Sequence, residues 1–473
     1  MMKVFMRTKG GLPGRLVTQS RHPGESHFRH AWDEFAASAG FLLPAPPCRD
    51  VHCRRLKRAP GTTAATSLVI ASMIGTGVFT SLGYQLPTLH SGPQILFLWL
   101  LGGIVAICGA LSYAAVAGHL PRSGGEHHFL GTLFHPALGF MAGILSVVVG
   151  FAAPTALSAI AFAEYLRKAF PGLPGIPTAA LVILLGTAAH AFGTRTSARV
   201  QLASTALKLA LILAFLIAAL VLPGKGDIRW HIQPGSDLAG ILQPAFAVSL
   251  FFVFYAYSGW NAAVYGLEDW DQPSRTVRRA LIGGTLIVTF LYLALNTAFL
   301  HAAPVAALRG EAAVGEIAAR HLLGAQAAQT TAILFAVGLF ASVSAMLWAG
   351  PRVLSAMGRS LPSLVFLTRP RTALLTITVL ALTFVFASPF RELVLYTQTG
   401  LVVCTLLTAA GVFRLPRPRP LIPASIFIAF SSFVVIRSML TEPIPTFAGL
   451  ATAALAAILW SVLKPSSPSP SPP

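Results

Sequence analysis

Two apolar segments of the chain contain small residues at places where a membrane-spanning helix would need an unbroken backbone. The first is Ile74-Gly75-Thr76-Gly77 and the second is Tyr257-Ser258-Gly259-Trp260. At the depth of the hydrocarbon, backbone can leave the helix only where it contacts protein or lines a cavity. At such a break, backbone amides at the N-terminus of one half-helix lack partners and carry the positive end of the helix dipole, which suits a carboxylate. Backbone carbonyls at the C-terminus of a half-helix likewise lack partners and suit an ammonium. The pattern therefore predicts a central binding site for a small zwitterion, as in secondary transporters.

Each residue of the two segments has an expected role in such a site. Gly75, Thr76 and Gly77 would offer amides, and Gly259 would break the second helix. The carbonyls for the ammonium would come from Tyr255, Ala256, Tyr257 and Ser258. Ile74, Phe254 and Tyr255 would form the walls, Tyr257 and Trp260 would cap or gate the cavity, and Asn261 would add an amide contact. The alternatives are close helix packing for the glycines and ordinary core packing for the aromatic rings.

Lys208 is the third feature that could have a chemical role, because it lies inside an apolar segment, about ten residues from the start of that segment. At 1.5 Å per helical residue this places it about 15 Å into the membrane. A charged group at that depth costs several kcal/mol unless it has a partner, so it predicts a functional role. A buried lysine that gains and loses a proton would provide proton coupling. The alternative is a permanently charged lysine that only stabilises the bundle.

The elements that would position these residues are membrane helices. The chain has 473 residues, of which 55% are hydrophobic and 10% charged, and its mean hydropathy is +0.71. A span needs about 20 apolar residues, and this criterion predicts about twelve all-α transmembrane helices. The expected spans are 64–86, 94–118, 133–163, 176–192, 198–222, 241–266, 280–302, 328–350, 372–388, 392–413, 420–438 and 444–463.

Charge and the chain ends complete the expected topology. The net charge of +19 is spread over short loops, with about eighteen basic residues on one side against eight on the other. The positive-inside rule then places both termini in the cytoplasm of a multi-pass cell-membrane protein, and the scattered charge does not favour nucleic acid. Residues 1–60 are expected to be a disordered basic tail and residues 464–473 a disordered Pro/Ser tail. A His/Cys metal site in the first tail is disfavoured by irregular spacing, so no metal and no cofactor are expected.

Three sequence blocks resemble the amino acid, polyamine and organocation (APC) superfamily of permeases, over about residues 54–463. The first block runs from Ser67 to Phe79, the second is Leu120-Pro121-Arg122-Ser123-Gly124-Gly125-Glu126, and the third is Phe254 to Asn261 continuing to Pro273. The resemblance implies a transport core of two inverted five-helix halves over residues 61–414, with discontinuous helices one and six. Two further helices would occupy residues 415–463. It also implies that Lys208 lies between helices one and eight, near Ser342 and Ser344.

The functional expectation is a secondary active transporter for an amino acid. The site has no acidic or basic selector, which indicates a neutral substrate, and Lys208 indicates proton symport. An exchanger without ion coupling is the alternative. An enzyme is not expected, since the spans hold no converging acid, base and nucleophile. His127 and His128, which follow Glu126, depart from the family pattern and are expected to lie in a solvated cytoplasmic loop, with a pH-sensitive gate as the alternative.

Overall fold

The computed structural model describes residues 61–122, 124–192, 194–267 and 270–463, and the two predicted tails, 1–60 and 464–473, lie outside this range. The described chain is helical throughout its apolar segments. The helices of the first half are α1 Thr62–Met73, α2 Gly77–Gln85, α3 Gly92–His119, α4 Gly125–Leu133, α5 Pro136–Leu145, α6 Ala153–Ala169, α7 Gly175–Phe192 and α8 Thr194–Val221. The helices of the second half are α9 Pro234–Ile241, α10 Pro244–Tyr257, α11 Pro273–Ala302, α12 Val305–Leu308, α13 Val314–Leu323, α14 Ala325–Ser360, α15 Pro370–Ala387, α16 Phe390–Ala410, α17 Leu421–Thr441 and α18 Pro443–Leu463.

Local sequence accounts for several helix boundaries. Proline occupies the first turn of α3, α5, α10 and α11, where its missing amide would have no intrahelical partner anyway. At α3 the hydroxyl of Ser91 also accepts a hydrogen bond from the Gln94 amide, at 3.3 Å. A π-helical segment, Ser146–Ala152, joins α5 to α6. The long third span predicted from the sequence is therefore one continuous run, Pro136–Ala169.

Membrane-crossing length separates the helices into two groups. Within the described residues, eight segments are long and apolar enough to cross a membrane, or nine if the bent pair of α9 and α10 counts as one span. Three shorter apolar stretches, Gly175–Ala191, Ala206–Val221 and Gln329–Ser344, coincide with the predicted fourth, fifth and eighth spans. They are too short to count by length alone. An all-α membrane bundle is established, while the total of twelve and the inverted repeat stay predictions.

The two interrupted spans lie inside the bundle. Helix α11 packs against both α1 and α3, and α10 packs against α2 and α3. Helix α14 packs along α6 and α8 and brings the eighth span close to Lys208. We call the face of the bundle where α1 begins the near side and the opposite face the far side. Because successive spans alternate in direction, α4 and the start of α11 lie on the near side.

Candidate functional site

The first helix is interrupted between Met73, the last residue of α1, and Gly77, the first residue of α2. Ile74 leaves helical geometry with φ −74° and ψ 81°. The amide of Gly75 turns back to Met73 O at 2.8 Å. The amides of Thr76 and Gly77 have no hydrogen-bond acceptor in the part of the chain that the structure describes. Two of the three expected amides, those of Thr76 and Gly77, are therefore available to a ligand.

The second interruption follows Tyr257, the last residue of α10, and leads into a short 3-10 helix, Ala262–Val264. Gly259 has φ +97°, a conformation that side chains of L-residues rarely adopt. Tyr255 O is occupied, since it accepts from the Ser258 amide at 3.0 Å and from the Ser258 hydroxyl at 2.7 Å. The carbonyls of Tyr257 and Ser258 have no donor among the described residues.

The two interruptions press against one another. A Cβ atom on Gly77 would lie 2.4 Å from Ala256 Cα, and one on Gly259 would lie 2.6 Å from Ser72 O. The hydroxyls of Thr76 and Tyr255 form a buried hydrogen bond of 2.6 Å across the junction. Glycine is therefore required at Gly77 and Gly259 for close backbone approach. This contact is the packing role that the sequence left as an alternative, and it brings the freed backbone groups together.

Tyr292 of α11 joins the two interruptions and was not found by sequence reasoning. Its hydroxyl lies 2.6 Å from Met73 O and 2.8 Å from Ala256 O, so one O–H is shared between a carbonyl in the last turn of each half-helix. The side chain is completely buried against Trp99 and Tyr257. Ala256 O, one of the four carbonyls expected to bind an ammonium, is thereby occupied. No pattern in the sequence around Tyr292 distinguishes it from a core aromatic residue.

Lys208 reaches the first interruption from α8. Its Nζ donates to Ile74 O at 2.9 Å and to the Ser342 hydroxyl of α14 at 3.3 Å. The side chain is buried, and no salt bridge joins it to a carboxylate in the described parts of the chain. Lys208 thus lies between the first and eighth spans, as the resemblance implies. Ser344, expected nearby, bonds instead to His190 at 3.0 Å.

Open space remains at one side of the junction. A Cβ on Gly75 would meet only Met73 O, at 4.0 Å, whereas the same addition at Gly77 clashes. Ser72, Gly75, Ser258 and Asn261 are all partly exposed although they belong to the interior segments. Accessible space therefore reaches Gly75 at the first interruption and Ser258 at the second, while Thr76, Gly77 and Tyr257 beside them are buried.

The aromatic residues near the junction lie mainly in packed protein. Tyr257 is fully buried, and its hydroxyl donates to Trp99 O at 3.1 Å. Trp260 packs edge-on against Tyr113, with ring centroids 4.8 Å apart, and against Phe427. The geometry of Tyr257 and Trp260 is that of core packing, the alternative to a gate. Ile74, Phe254 and Tyr255 are buried beside the junction.

His127 and His128, expected in a solvated loop, instead lie in helix α4 and are partly buried, and Glu126 just before them is buried. Its Oε1 accepts from the Tyr113 hydroxyl at 2.9 Å and from Asn261 Nδ2 at 2.6 Å. The second oxygen, Oε2, is buried with no hydrogen-bond partner in the described structure. The turn before α4 allows this, because Gly124 and Gly125 both have positive φ and Gly125 lies against the Tyr265 ring. His127, the next residue, bonds to Gly139 O.

A helical membrane bundle with two interrupted spans meeting at its centre, and with a lysine on one of the freed carbonyls, defines a membrane transporter of the broken-helix class. The family profile described as "Amino acid permease" matches residues 61–463. The chain belongs to the amino acid permease family of the APC superfamily and is a multi-pass membrane transporter of amino acids.

Individual relatives agree with this assignment. The chain is 28% identical over 466 residues to the human "Large neutral amino acids transporter small subunit 2", an alignment covering 93% of this chain and 84% of that protein. It is 26% identical over 415 residues to the mouse "b(0,+)-type amino acid transporter 1", covering 82% and 84%. It is 29% identical over 306 residues to the "Serine/threonine exchanger SteT" of Bacillus subtilis, covering 64% and 68%.

Proposed function

We propose that the chain carries a neutral amino acid across the cell membrane, with the zwitterion held by backbone groups of the two interruptions. The observation that carries the proposal is that four backbone groups without hydrogen-bond partners among the described residues lie beside the partly exposed Gly75 and Ser258. These are the amides of Thr76 and Gly77 and the carbonyls of Tyr257 and Ser258. The amides can donate hydrogen bonds to the carboxylate of an amino acid, and the carbonyls can accept hydrogen bonds from its ammonium.

The orientation of the substrate follows from helix polarity. The amides stand at the N-terminus of α2, where the dipole favours a carboxylate, and the carbonyls stand at the C-terminus of α10, where it favours an ammonium. Lys208 bonds to Ile74 O of the first interruption, and Glu126 accepts a hydrogen bond from Asn261 beside the second. Among the described residues, the side chains proposed as walls are the uncharged Ile74, Phe254 and Tyr255, so a neutral amino acid fits best. The names of the relatives support this choice.

Lys208 supports proton coupling as the finer part of the proposal. Its two acceptors, Ile74 O and the Ser342 hydroxyl, are neutral, so loss of its proton breaks no ion pair. Deprotonation would weaken the hydrogen bond to Ile74 O, because a neutral amine is a poorer donor than an ammonium, and would loosen the contact between α1, α8 and α14. Proton binding and release would therefore change how the first interruption is held, which is what coupling to substrate movement requires.

Exchange of one amino acid for another is the second candidate, and its support is the name of the SteT relative, a serine/threonine exchanger. An exchanger needs substrate on both sides of the membrane. A symporter produces net movement of substrate, driven by protons that move down their gradient. Both candidates use the same site. They differ only in whether the empty carrier returns across the membrane.

Purified protein in liposomes tests the proposal. Labelled neutral amino acid uptake is measured with and without an inward proton gradient, and with and without unlabelled amino acid inside. Symport predicts uptake into empty liposomes that rises with the gradient, and exchange predicts uptake only into preloaded ones. Lys208→Met should remove the gradient dependence, while Lys225→Met, at an exposed position, should not. Absence of amino acid flux under every condition would overturn the proposed function.

A further inference from the structure

Asn261 has an unusual arrangement of its side-chain amide. Its Nδ2 donates to Glu126 Oε1 at 2.6 Å and lies 3.4 Å from the Tyr265 hydroxyl. Its Oδ1 has no hydrogen-bond partner among the described residues and is not one of the buried unpartnered atoms. The residue is partly exposed, two positions after the left-handed Gly259. The amide thus has one end tied to protein and the other end accessible.

Glu126 determines which end is tied. Glu126 Oε1 acts as an acceptor, since it also accepts from the Tyr113 hydroxyl, so the amide turns its NH₂ group towards it and its oxygen away. Tyr113 donates to the same Oε1, and three elements meet at this one oxygen: α3, α4 and the segment after the second interruption. A carboxylate buried in this way stays in place because its neighbours hold it.

We propose that Glu126 is a positioning residue for substrate recognition: it fixes the Asn261 amide so that Oδ1 faces the site as an acceptor for the substrate ammonium. This inference rests on the proposed function and deepens it. The carbonyls of Tyr257 and Ser258 provide two acceptors, and Asn261 Oδ1 provides a third on the near side of the same interruption. A substrate bearing a hydroxyl in place of its ammonium would lose most from this arrangement, since it has fewer protons to donate.

The experiment exchanges the carboxylate of Glu126 and the amide of Asn261 between the two positions. Glu126→Gln removes the constraint on the amide, because a glutamine can donate as well as accept. Asn261→Asp places a second carboxylate where the hydrogen bond stood. In the double variant Glu126→Gln/Asn261→Asp, the glutamine NH₂ can donate to the aspartate, which restores the contact with its direction reversed. It leaves an aspartate oxygen for the ammonium.

Liposome uptake gives the main measurement, as the ratio of inhibition constants for a 2-hydroxy acid and the matching amino acid. We expect Glu126→Gln to lower this ratio about tenfold, the effect of one hydrogen bond to a charged group. Asn261→Asp should lower uptake at least about tenfold, and the double variant should recover to within about threefold of the wild type. A general loss of folding would lower uptake without changing the ratio, so thermal unfolding is recorded for each variant.

Glu316→Gln provides a matched control. Glu316 is also a buried glutamate with one unpartnered oxygen, but it lies in α13 on the far side and pairs with Arg320. It should change unfolding temperature and leave the inhibition ratio unchanged. If Glu126→Gln keeps the wild-type ratio, or if the double variant is no better than Asn261→Asp alone, the inference is overturned. The proposed function would still stand in that case, because the wild type would continue to transport.

Discussion

Both interruptions break a membrane helix and free backbone groups, but different interactions hold them in place. At the first, the carbonyl of Ile74 is bonded to a charged side chain, Lys208, and no residue from 74 to 77 has positive φ. At the second, Tyr255 O and Ala256 O are bonded only to neutral groups, and the turn depends on Gly259 at φ +97°. The first is held by a group that can change its charge, and the second by backbone geometry.

This difference suggests a division of roles. A carbonyl held by an ionisable amine can be released without rebuilding the backbone, so the first interruption is suited to move during transport. A turn fixed by a left-handed glycine and short neutral hydrogen bonds is suited to stay rigid. We call the first interruption the movable side and the second interruption the rigid side. Tyr292 shares its O–H between Met73 O and Ala256 O and so connects the two sides.

Gly259→Ala should produce the largest effect, because it strains the rigid side directly. The added Cβ would lie 2.6 Å from Ser72 O, and φ +97° is unfavourable for alanine by about 1–3 kcal/mol. We expect transport to fall about 100-fold, equivalent to about 3 kcal/mol, when measured as liposome uptake. Gly283→Ala is the control, since a Cβ there meets nothing within 4 Å. Near-normal uptake by Gly259→Ala would show that the second interruption is not rigid.

Gly75 and Gly77 allow a paired test within the first interruption. Alanine at Gly77 would meet Ala256 Cα at 2.4 Å and should separate the half-helices, lowering both unfolding temperature and uptake. Alanine at Gly75 enters open space, so the fold should be kept while the methyl group occupies part of the substrate site. We expect Gly75→Ala to raise the KM about tenfold with unchanged thermal unfolding. Equal effects of the two substitutions on unfolding would remove the distinction between a packed and an open face.

Tyr292→Phe should have an intermediate effect, because it removes the O–H shared by both interruptions and keeps the ring. Ala256 O would lose the Tyr292 donor, and Met73 O would keep only the Gly75 amide, at a total cost of about 1–3 kcal/mol for buried polar groups. Tyr257→Phe removes a single contact to Trp99 O and should cost about 1 kcal/mol. Thermal unfolding in detergent measures both. If the two substitutions prove equal, Tyr292 does not join the two interruptions.

The sequence was enough to locate both interruptions, because glycine beside small polar residues inside an apolar run favours a break in the helix. It also indicated that Lys208 lies in the interior, and the structure shows its side chain buried in the bundle, while its depth in the membrane stays a prediction. It could not predict Tyr292 or the burial of Glu126. Both depend on contacts between residues far apart in the chain, and Glu126 follows a Gly-Gly pair in a polar segment that resembles a loop. The role of Trp260 depended in the same way on Tyr113 and Phe427, which no local pattern connects to it.

Ser258→Ala should give the smallest effect and the finest test of the rigid side. The Ser258 hydroxyl donates to Tyr255 O at 2.7 Å, but the Ser258 amide donates to the same carbonyl at 3.0 Å and would remain. Because Tyr255 O keeps a donor, the loss should be about 0.5–1 kcal/mol in thermal unfolding, with uptake reduced less than about threefold. Ser342→Ala is the counterpart on the movable side, where it removes one of the two acceptors of Lys208. Ser342→Ala should change the dependence of uptake on the proton gradient and Ser258→Ala should not, since Ser342 bonds to Lys208 whereas Ser258 bonds only to the backbone carbonyl of Tyr255 among the described residues.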